Sequence, residues 1–200
     1  MEKLITKICK EKPDSGGIAL SGLLVENKLA VCTDTKRLLI ADSTLKDGWY
    51  ELGKTKKEQP GRFPHYKRCV PDKVEYSFLI NVKEFKQAIR SALVMSKRNS
   101  TNSKRGETCK NAIKITLAEN TLTVFSRWEE NNTEVTLDIV PVNLHEWEKL
   151  PTERLINAAY IKDYLDHLPE KMQVLVEFCP NNTNVFSFPG SKYILMGLSA

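Results

Sequence analysis

The sequence predicts an α+β fold in which a complete domain of two strand-helix-strand-strand-strand units follows a reduced, β-rich domain. The main observation is an internal repeat. An apolar strand followed by a helical pattern at residues 79–89 recurs 76 residues later at 155–165. Three strand-like runs with turn residues at their joints follow each helical pattern. Residues 1–75 contain strand-like runs without such a unit.

The reduced domain is assigned to residues 1–60. No segment in it has convincing helical periodicity, so we expect a small sheet without helices. The lysine-rich stretch at 54–61 predicts a linker, and residues 61–75 form a connector into the complete domain at 76–200. The strands of the reduced domain are predicted at 18–25, 29–33, 37–41 and 49–52.

In the complete domain, Asn81 and Asn157 are predicted N-caps of the two helices, because their side chains can accept backbone N–H groups. Apolar residues then recur at helical spacing in both copies. The strands that follow are predicted at 112–117, 121–126 and 134–140 in the first copy, and at 173–178, 184–188 and 192–198 in the second.

Composition narrows the function classes. With 41% hydrophobic and 28% charged residues, the chain can bury a hydrophobic core. No apolar run approaches the ~20 residues of a membrane-spanning helix, so we expect no membrane partner. The five cysteines are odd in number and scattered, which predicts reduced thiols in a cytosolic, cytoplasmic protein and no metal site. A net charge of +5 favours a nucleic-acid partner only slightly.

No catalytic constellation is present in the sequence. His65, His145 and His167 are isolated, and no Gly-rich phosphate loop or nucleophile motif occurs. Asp163 and Asp166 are interpreted as a solvated helix face. We therefore expect a protein that is not an enzyme and has no cofactor.

Three segments resemble the bacterial DNA polymerase III sliding clamp, its beta subunit. Residues 61–71 (Gly-Arg-Phe-Pro-His-Tyr-Lys-Arg-Cys-Val-Pro) resemble the Gly-Arg-Phe-Pro-Asp-Tyr-Arg-Arg-Val-Leu-Pro connector into that family's last domain. Residues 20–26 and 33–38 are similar to its middle domain, and 157–168 with 193–196 to its final helix and closing strand. The resemblance implies a DNA-clamp-like fold.

The chain also departs from that family. A family protomer has three domains and closes a ring as a head-to-tail dimer, whereas this chain resembles a reduced middle domain and a complete last domain. Thr35-Lys36 stands where the family has Gly-His, and Met196-Gly197 stands where it has Met-Pro. A homo-oligomer is therefore left open, as is a closed ring.

The resemblance implies a groove between the middle and last domains that binds short linear peptide motifs. Aliphatic side chains and an adaptable Met suit an anchoring Leu or Phe, and arginines can bond to peptide carbonyls or carboxylates. The alternative is that the apolar residues fill an interdomain core and the arginines pair with local acids. The peptide-binding positions are Leu20, Thr33, Arg37, Leu38, Pro64, Arg68, Cys69, Tyr160, Ile194, Met196 and Leu198.

A second candidate site is a basic stripe on the first helix, continued by the basic loop at 97–110. At ~100° per residue, spacings of 3, 4 and 7 put its charges on one side of the helix, where they could contact the phosphates of duplex DNA. The alternative is a solvated basic face with a solubilising loop. The DNA-binding positions are Lys83, Lys86, Arg90, Lys97, Arg98, Lys104 and Arg105.

Two functions follow. The leading hypothesis is a sliding-clamp-like, non-catalytic adaptor in DNA replication or repair. Its partners would be DNA polymerase or repair proteins that carry clamp-binding motifs, with tethering to duplex DNA as a further step. The alternative is a DNA-independent regulator that sequesters these motifs and competes with a full-length clamp.

Overall fold

The chain divides into two compact units. Unit 1 comprises residues 1–72 and 187–195, and unit 2 comprises 73–186 and 196–200. The sequence prediction instead assigns residues 187–195 to the complete domain at 76–200. The domain limits therefore remain a prediction. The structure, a computed structural model, describes residues 1–10, 18–51, 61–99, 111–128, 130–143 and 151–198.

The described residues form three α-helices, one short 3-10 helix and thirteen strands, joined by loops. The helices are α1 (Glu2–Lys10), the 3-10 helix (Tyr66–Cys69), α2 (Val82–Asn99) and α3 (Ala158–Leu165). The strands are β1 (Gly22–Glu26), β2 (Leu29–Thr33), β3 (Arg37–Asp42), β4 (Gly48–Glu51), β5 (Tyr76–Asn81), β6 (Ala112–Leu117), β7 (Thr121–Trp128), β8 (Asn131–Asp138), β9 (Val140–Asn143), β10 (Thr152–Asn157), β11 (Gln173–Cys179), β12 (Thr183–Phe188) and β13 (Ser191–Met196).

Unit 1 contains an antiparallel sheet in the order β4-β1-β2-β3-β13. Leu4 and Ile8 of α1 are fully buried, and α1 packs on β1 and β2. On β4, which pairs with β1, Trp49 contacts Phe63 with ring centroids 6.0 Å apart. The core of this unit therefore includes residues from its helix, its sheet and the connector.

The prediction that residues 1–60 have no helix is wrong. In α1, Leu4 and Ile8 lie one turn apart and face the sheet, so this nine-residue helix is stabilised by tertiary packing. The pattern is hard to recognise from sequence because a window of nine residues covers little more than two turns. Its β-branched residues, Ile5, Thr6 and Ile8, also favour strand locally.

Unit 2 repeats the predicted order of a strand, a helix and further strands: β6 to β9 follow α2, and β11 to β13 follow α3, with most of β13 in unit 1. Its strands form two sheets, with the orders β12-β11-β5-β9 and β10-β6-β7-β8. Helices α2 and α3 contact each other, and α2 also packs on β6, β7 and β8. Aromatic side chains fill the space at the helices: Phe85 stacks on Phe186 at 6.4 Å between centroids, and Tyr164 lies 6.5 Å from Phe186.

One predicted strand of unit 2 is two strands. The run predicted at 134–140 belongs to β8 and β9, with Ile139 between them. Strand β8 pairs with β7, whereas β9 pairs with β5 of the other sheet. The break at Ile139, which is itself buried, thus carries the chain from one sheet of unit 2 to the other. Within the described residues, no helix is long and apolar enough to span a membrane.

Candidate functional site

The turn between β2 and β3 holds two of the predicted peptide-binding residues, Thr33 and Arg37. The Thr33 hydroxyl donates to the Arg37 carbonyl at 2.7 Å, and Asp34 Oδ1 accepts the backbone N–H groups of Lys36 and Arg37 at 3.0 Å. Arg37 Nε donates to Asp34 Oδ2 at 2.8 Å. These bonds make a closed polar turn. For Arg37, they favour the alternative that the arginine pairs with a local acid.

Strand pairing brings three predicted peptide-binding residues into one row. Thr33 lies opposite Leu38, and Leu38 lies opposite Ile194. All three are buried, with exposed fractions of 8%, 4% and 2%. The side chains of this row therefore lie beneath the surface of unit 1.

The connector is fixed to β1 through Glu26. Tyr66 donates its hydroxyl to Glu26 Oε1 at 2.6 Å, and Lys67 Nζ lies 2.8 Å from the same oxygen. The bonds from Lys67 and Tyr66 lower the pKa of Glu26, while burial and the bond to this carboxylate raise the pKa of Tyr66 to about 12. A cavity of about 180 Å³ lies here, lined by Leu24, Glu26 and residues 63–67.

Three predicted peptide-binding residues of the connector are accessible. Pro64 is half-buried and lines the cavity, and Arg68 and Cys69 are exposed on the 3-10 helix. The helix is held by hydrogen bonds from Tyr66 N to Pro64 O at 2.7 Å and from Arg68 N to His65 O at 3.1 Å. Leu20, by contrast, is buried, next to the bond from Ala19 N to Arg62 O.

The other three predicted residues belong to unit 2. Met196 is 57% exposed, and Tyr160 and Leu198 are half-buried. Tyr160 lies in the first turn of α3, whose N-cap Asn157 accepts the Ala159 N–H at 3.0 Å, as predicted. The eleven positions therefore separate into five buried residues of unit 1 and six accessible ones. The accessible residues are Pro64, Arg68, Cys69, Tyr160, Met196 and Leu198.

Two described residues of the basic stripe on α2, Lys86 and Arg90, pair with acids of the α3 region. Arg90 Nη2 lies 2.8 Å from Asp166 Oδ1, and Lys86 Nζ lies 3.5 Å from Asp166 and 3.1 Å from Glu170. Lys162 contacts the other oxygen of Asp166 at 2.5 Å. Lys86 is only 8% exposed, so the expectation that it lies on the exposed side of the helix is wrong.

Asp166 is the centre of this cluster. Burial pushes its pKa upward, but hydrogen bonds and positive charge from Lys162 and then Arg90 outweigh burial and hold the pKa below its ordinary value of 3.8. The carboxylate is therefore charged at neutral pH. The interpretation of Asp163 and Asp166 as a solvated face is also wrong, because Asp163 is buried and Asp166 pairs with three cations.

The remaining predicted DNA-binding positions fall into two groups. Lys83 is exposed at the start of α2. Lys97 and Arg98 belong to α2, but their side chains lie outside the described residues, as do Lys104 and Arg105 altogether. Lys83 and half-exposed Arg90 are thus the described positions of the stripe that solvent reaches.

Solved bacterial sliding clamps share this architecture. The DNA polymerase III subunit beta of Borrelia burgdorferi, in complex with a natural product, aligns at TM-score 0.73 and 14% identity over 99% of this chain. The clamp of Caulobacter crescentus aligns at 0.71 and 19% over 100%. That of Pseudomonas aeruginosa, bound to griselimycin, aligns at 0.69 and 16% over 100%. The chain has the sliding-clamp fold.

The chain spans only part of a clamp's length. The three alignments cover 61%, 63% and 64% of the respective clamp chains. Neither a protein-family model nor a curated protein matches the chain. The predicted DNA-clamp-like fold is confirmed by structure, and at these identities the similarity to clamps establishes the fold alone.

The sequence analysis did not identify several residues that bond to the candidate site residues. Asp166 and Glu170 were not assigned to the stripe, although the i,i+4 spacing of Lys162 and Asp166 signals an ion pair. Asn182 was not singled out, yet it bonds to the segment that carries Met196 and Leu198. Within the described residues, no group of three or more His, Cys, Asp or Glu could hold a metal ion, and none of the four described cysteines is in a disulfide.

Proposed function

We propose that this chain is a sliding-clamp-like, non-catalytic adaptor of DNA replication or repair that binds short linear motifs of partner proteins. The partners are DNA polymerase or repair proteins with clamp-binding motifs, and the setting is cytosolic. The observation that carries the proposal is the clamp fold combined with accessible side chains at the positions that the resemblance assigns to the peptide site.

The chemistry of the accessible positions supports this proposal. Met196 offers an exposed, flexible thioether that can pack on an anchoring Leu or Phe. Arg68 offers an exposed guanidinium to peptide carbonyls or carboxylates. The residues Thr33, Leu38 and Ile194 are buried within unit 1 and would not need to touch the peptide. The clamp of Pseudomonas aeruginosa has been solved with griselimycin bound, so that compound is a second ligand to test on this chain.

Fluorescence anisotropy with a labelled peptide that carries a Gln and a downstream Leu-Phe pair tests the proposal. We expect wild type to bind, and Met196→Ala or Arg68→Ala to weaken binding about tenfold, since truncating an anchor costs ~1–2 kcal/mol. Met172→Ala is the matched control, because Met172 is similarly exposed, at 46%, and lies outside the assigned positions.

Two results would contradict the peptide site. One is no binding by wild type. The other is equal affinity for wild type, Met196→Ala and Arg68→Ala. Either result would leave the clamp fold without the adaptor role proposed for it.

The ion pairs of Lys86 and Arg90 favour the second candidate function, a DNA-independent regulator that sequesters clamp-binding motifs. Cations that already pair with Asp166 and Glu170 attract phosphate less strongly than unpaired ones. Only a DNA-tethered adaptor predicts weak, sequence-indifferent binding to duplex DNA at low salt, with a log–log salt slope of about −0.9 per neutralised phosphate.

A filter-binding salt titration and light scattering separate the two candidates. If the adaptor is tethered to DNA, Lys83→Ala should weaken binding and flatten the slope by up to about one unit. A closed ring would hold circular duplex longer than linear duplex and would elute as a homo-oligomer. A monomer that does not bind duplex DNA but binds the peptide would assign the regulator function.

A further inference from the structure

A tight turn in unit 2 places Asn182 at the end of a hairpin. Strands β11 and β12 are joined through Pro180-Asn181-Asn182-Thr183, and Thr183 N donates to Pro180 O at 3.3 Å. Asn181 and Asn182 have φ values of 59° and 57°, as a type I′ turn requires. Asn is among the few non-Gly residues that tolerate this conformation, so the Asn-Asn pair fixes the turn locally.

Asn182 holds the last residue of β13 and the two residues that follow it, the 196–198 segment, at two points. Its carbonyl oxygen accepts the Gly197 N–H at 2.7 Å, and its side-chain Nδ2 donates to the Leu198 carbonyl at 3.0 Å. Leu198 N in turn donates to Leu155 O at 2.8 Å. Three hydrogen bonds thus fix two consecutive residues of the 196–198 segment.

Two further features show how closely this arrangement fits. Asn184, which is fully buried, donates Nδ2 to the same Asn182 carbonyl at 3.1 Å and so helps to orient it. A Cβ on Gly197 would overlap the side-chain amide of Asn182. Position 197 therefore needs glycine as long as Asn182 keeps its place, and the two residues fit only as a pair.

We infer that Asn182 is a positioning residue of the peptide site, acting through the 196–198 segment to hold Met196 and Leu198 in place. This inference rests on the proposed function. Met196 is 57% exposed and ends β13, so its backbone is restrained by the strand on one side and by the bonded residues Gly197 and Leu198 on the other. If the side-chain amide of Asn182 is removed, Met196 is still present, but its position is less restrained.

The key variant is Asn182→Gly, which keeps the left-handed backbone and the carbonyl but removes the amide bonded to Leu198. We expect about three- to tenfold weaker binding of the labelled Gln and Leu-Phe peptide, the range for one neutral hydrogen bond. Asn181→Gly is the matched control. Asn181 is exposed, lies in the same turn at nearly the same φ, and has no hydrogen bond to residues 196–198.

A double-mutant cycle separates positioning from general destabilisation. In a Met196→Ala background, Asn182→Gly should have a clearly smaller effect on peptide affinity, because one of the two side chains that it positions is gone. Gly197→Ala should also weaken binding, and Asn182→Gly should partly rescue it by removing the overlapping amide. An Asn182→Gly effect of full size in the Met196→Ala background would overturn the inference.

Hydrogen exchange of the chain without peptide tests whether Asn182 restrains the 196–198 segment. The Gly197 and Leu198 amides should exchange faster in Asn182→Gly than in wild type or Asn181→Gly. Unchanged exchange would refute the hold itself. If exchange changes as expected but wild type binds no peptide, the proposed function fails and the positioning role fails with it. If wild type binds and Asn182→Gly binds equally well, only the positioning role is wrong.

Discussion

Replacing Thr35 by glycine should stabilise the protein. Thr35 has φ of 76°, a left-handed conformation that costs an L-residue about 1–2 kcal/mol, and β-branching makes it less suitable still. In the resembling family segment, this position of the β2–β3 turn is glycine. The Thr35 N–H donates to Thr33 Oγ1 at 3.1 Å, and a glycine keeps that bond.

The expected gain follows from two opposing terms. Glycine relieves about 1–2 kcal/mol of backbone strain, but it adds about 0.4–1 kcal/mol of conformational entropy to the unfolded chain. With the middle of each range, about 1.5 and about 0.7 kcal/mol, the net gain is about 0.8 kcal/mol. For a chain of 200 residues, a change of 1 kcal/mol moves Tm by about 2–4 °C, so calorimetry or urea titration can measure it.

Lys36→Gly is the matched control for this prediction. Lys36 is exposed, adjacent and not left-handed, so glycine there brings only the entropic cost and should lower stability by up to about 1 kcal/mol. Thr35→Ala should bring no comparable gain, because alanine keeps a Cβ in the left-handed conformation. If Thr35→Gly is no more stable than wild type, or behaves like Lys36→Gly, the strain argument is refuted.

Two further predictions concern the helices. Asp166→Asn should cost about 1 kcal/mol at pH 7, because Arg90, Lys86 and Lys162 lose their shared partner. Since the pKa of Asp166 is lowered on folding, this difference should shrink as the pH falls below about 4 and disappear below the folded-state pKa, which a series of urea titrations from pH 7 downward would detect. Leu4→Ala should cost about 2–5 kcal/mol because Leu4 is fully buried, whereas Lys3→Ala on the exposed side of α1 should be nearly neutral in the same thermal melts.

Local patterns predicted much of this fold because they repeat. The bounds of β2 and β6 agree with the sequence prediction, and both helical patterns of the repeat are helices in the structure. Alternation with a period of two and apolar spacing near 3.6 are local signals, and they survive in any tertiary context that buries one face. Helix α1 could not be predicted in this way, because it has only nine residues and is stabilised by contacts with β1 and β2, which are distant in sequence.

The candidate sites were less predictable, because exposure depends on neighbours that a single segment does not reveal. Arg37 and Arg68 both resemble peptide-binding arginines in sequence. In the structure, Arg37 is buried against Asp34, while Arg68 is exposed on the 3-10 helix. Asn182, proposed above as a positioning residue, bonds to residues 15 and 16 positions further along the chain, for which no local spacing rule exists.

The burial of Lys86 can be explained by its place on α2. Residues 82, 89 and 93, which are i−4, i+3 and i+7 from Lys86, are all buried apolar residues, so Lys86 lies on the border of the apolar face. A lysine in such a position extends its stem over apolar surface and needs an acid for its ammonium group. Helix α3 packs against α2 and brings Asp166 and Glu170 to that place.

This pairing changes what the two helices of unit 2 present to a phosphate backbone. Lys86, Arg90 and Lys162 carry three positive charges, and Asp166 and Glu170 carry two negative ones, which leaves a formal excess of one. Lys83 adds one more positive charge but lies in the same turn as Glu84. Counterion release scales with the number of phosphates neutralised, so this surface alone supports only a shallow salt slope. A steep measured slope would therefore have to arise from other basic residues of the chain, above all those between 97 and 110.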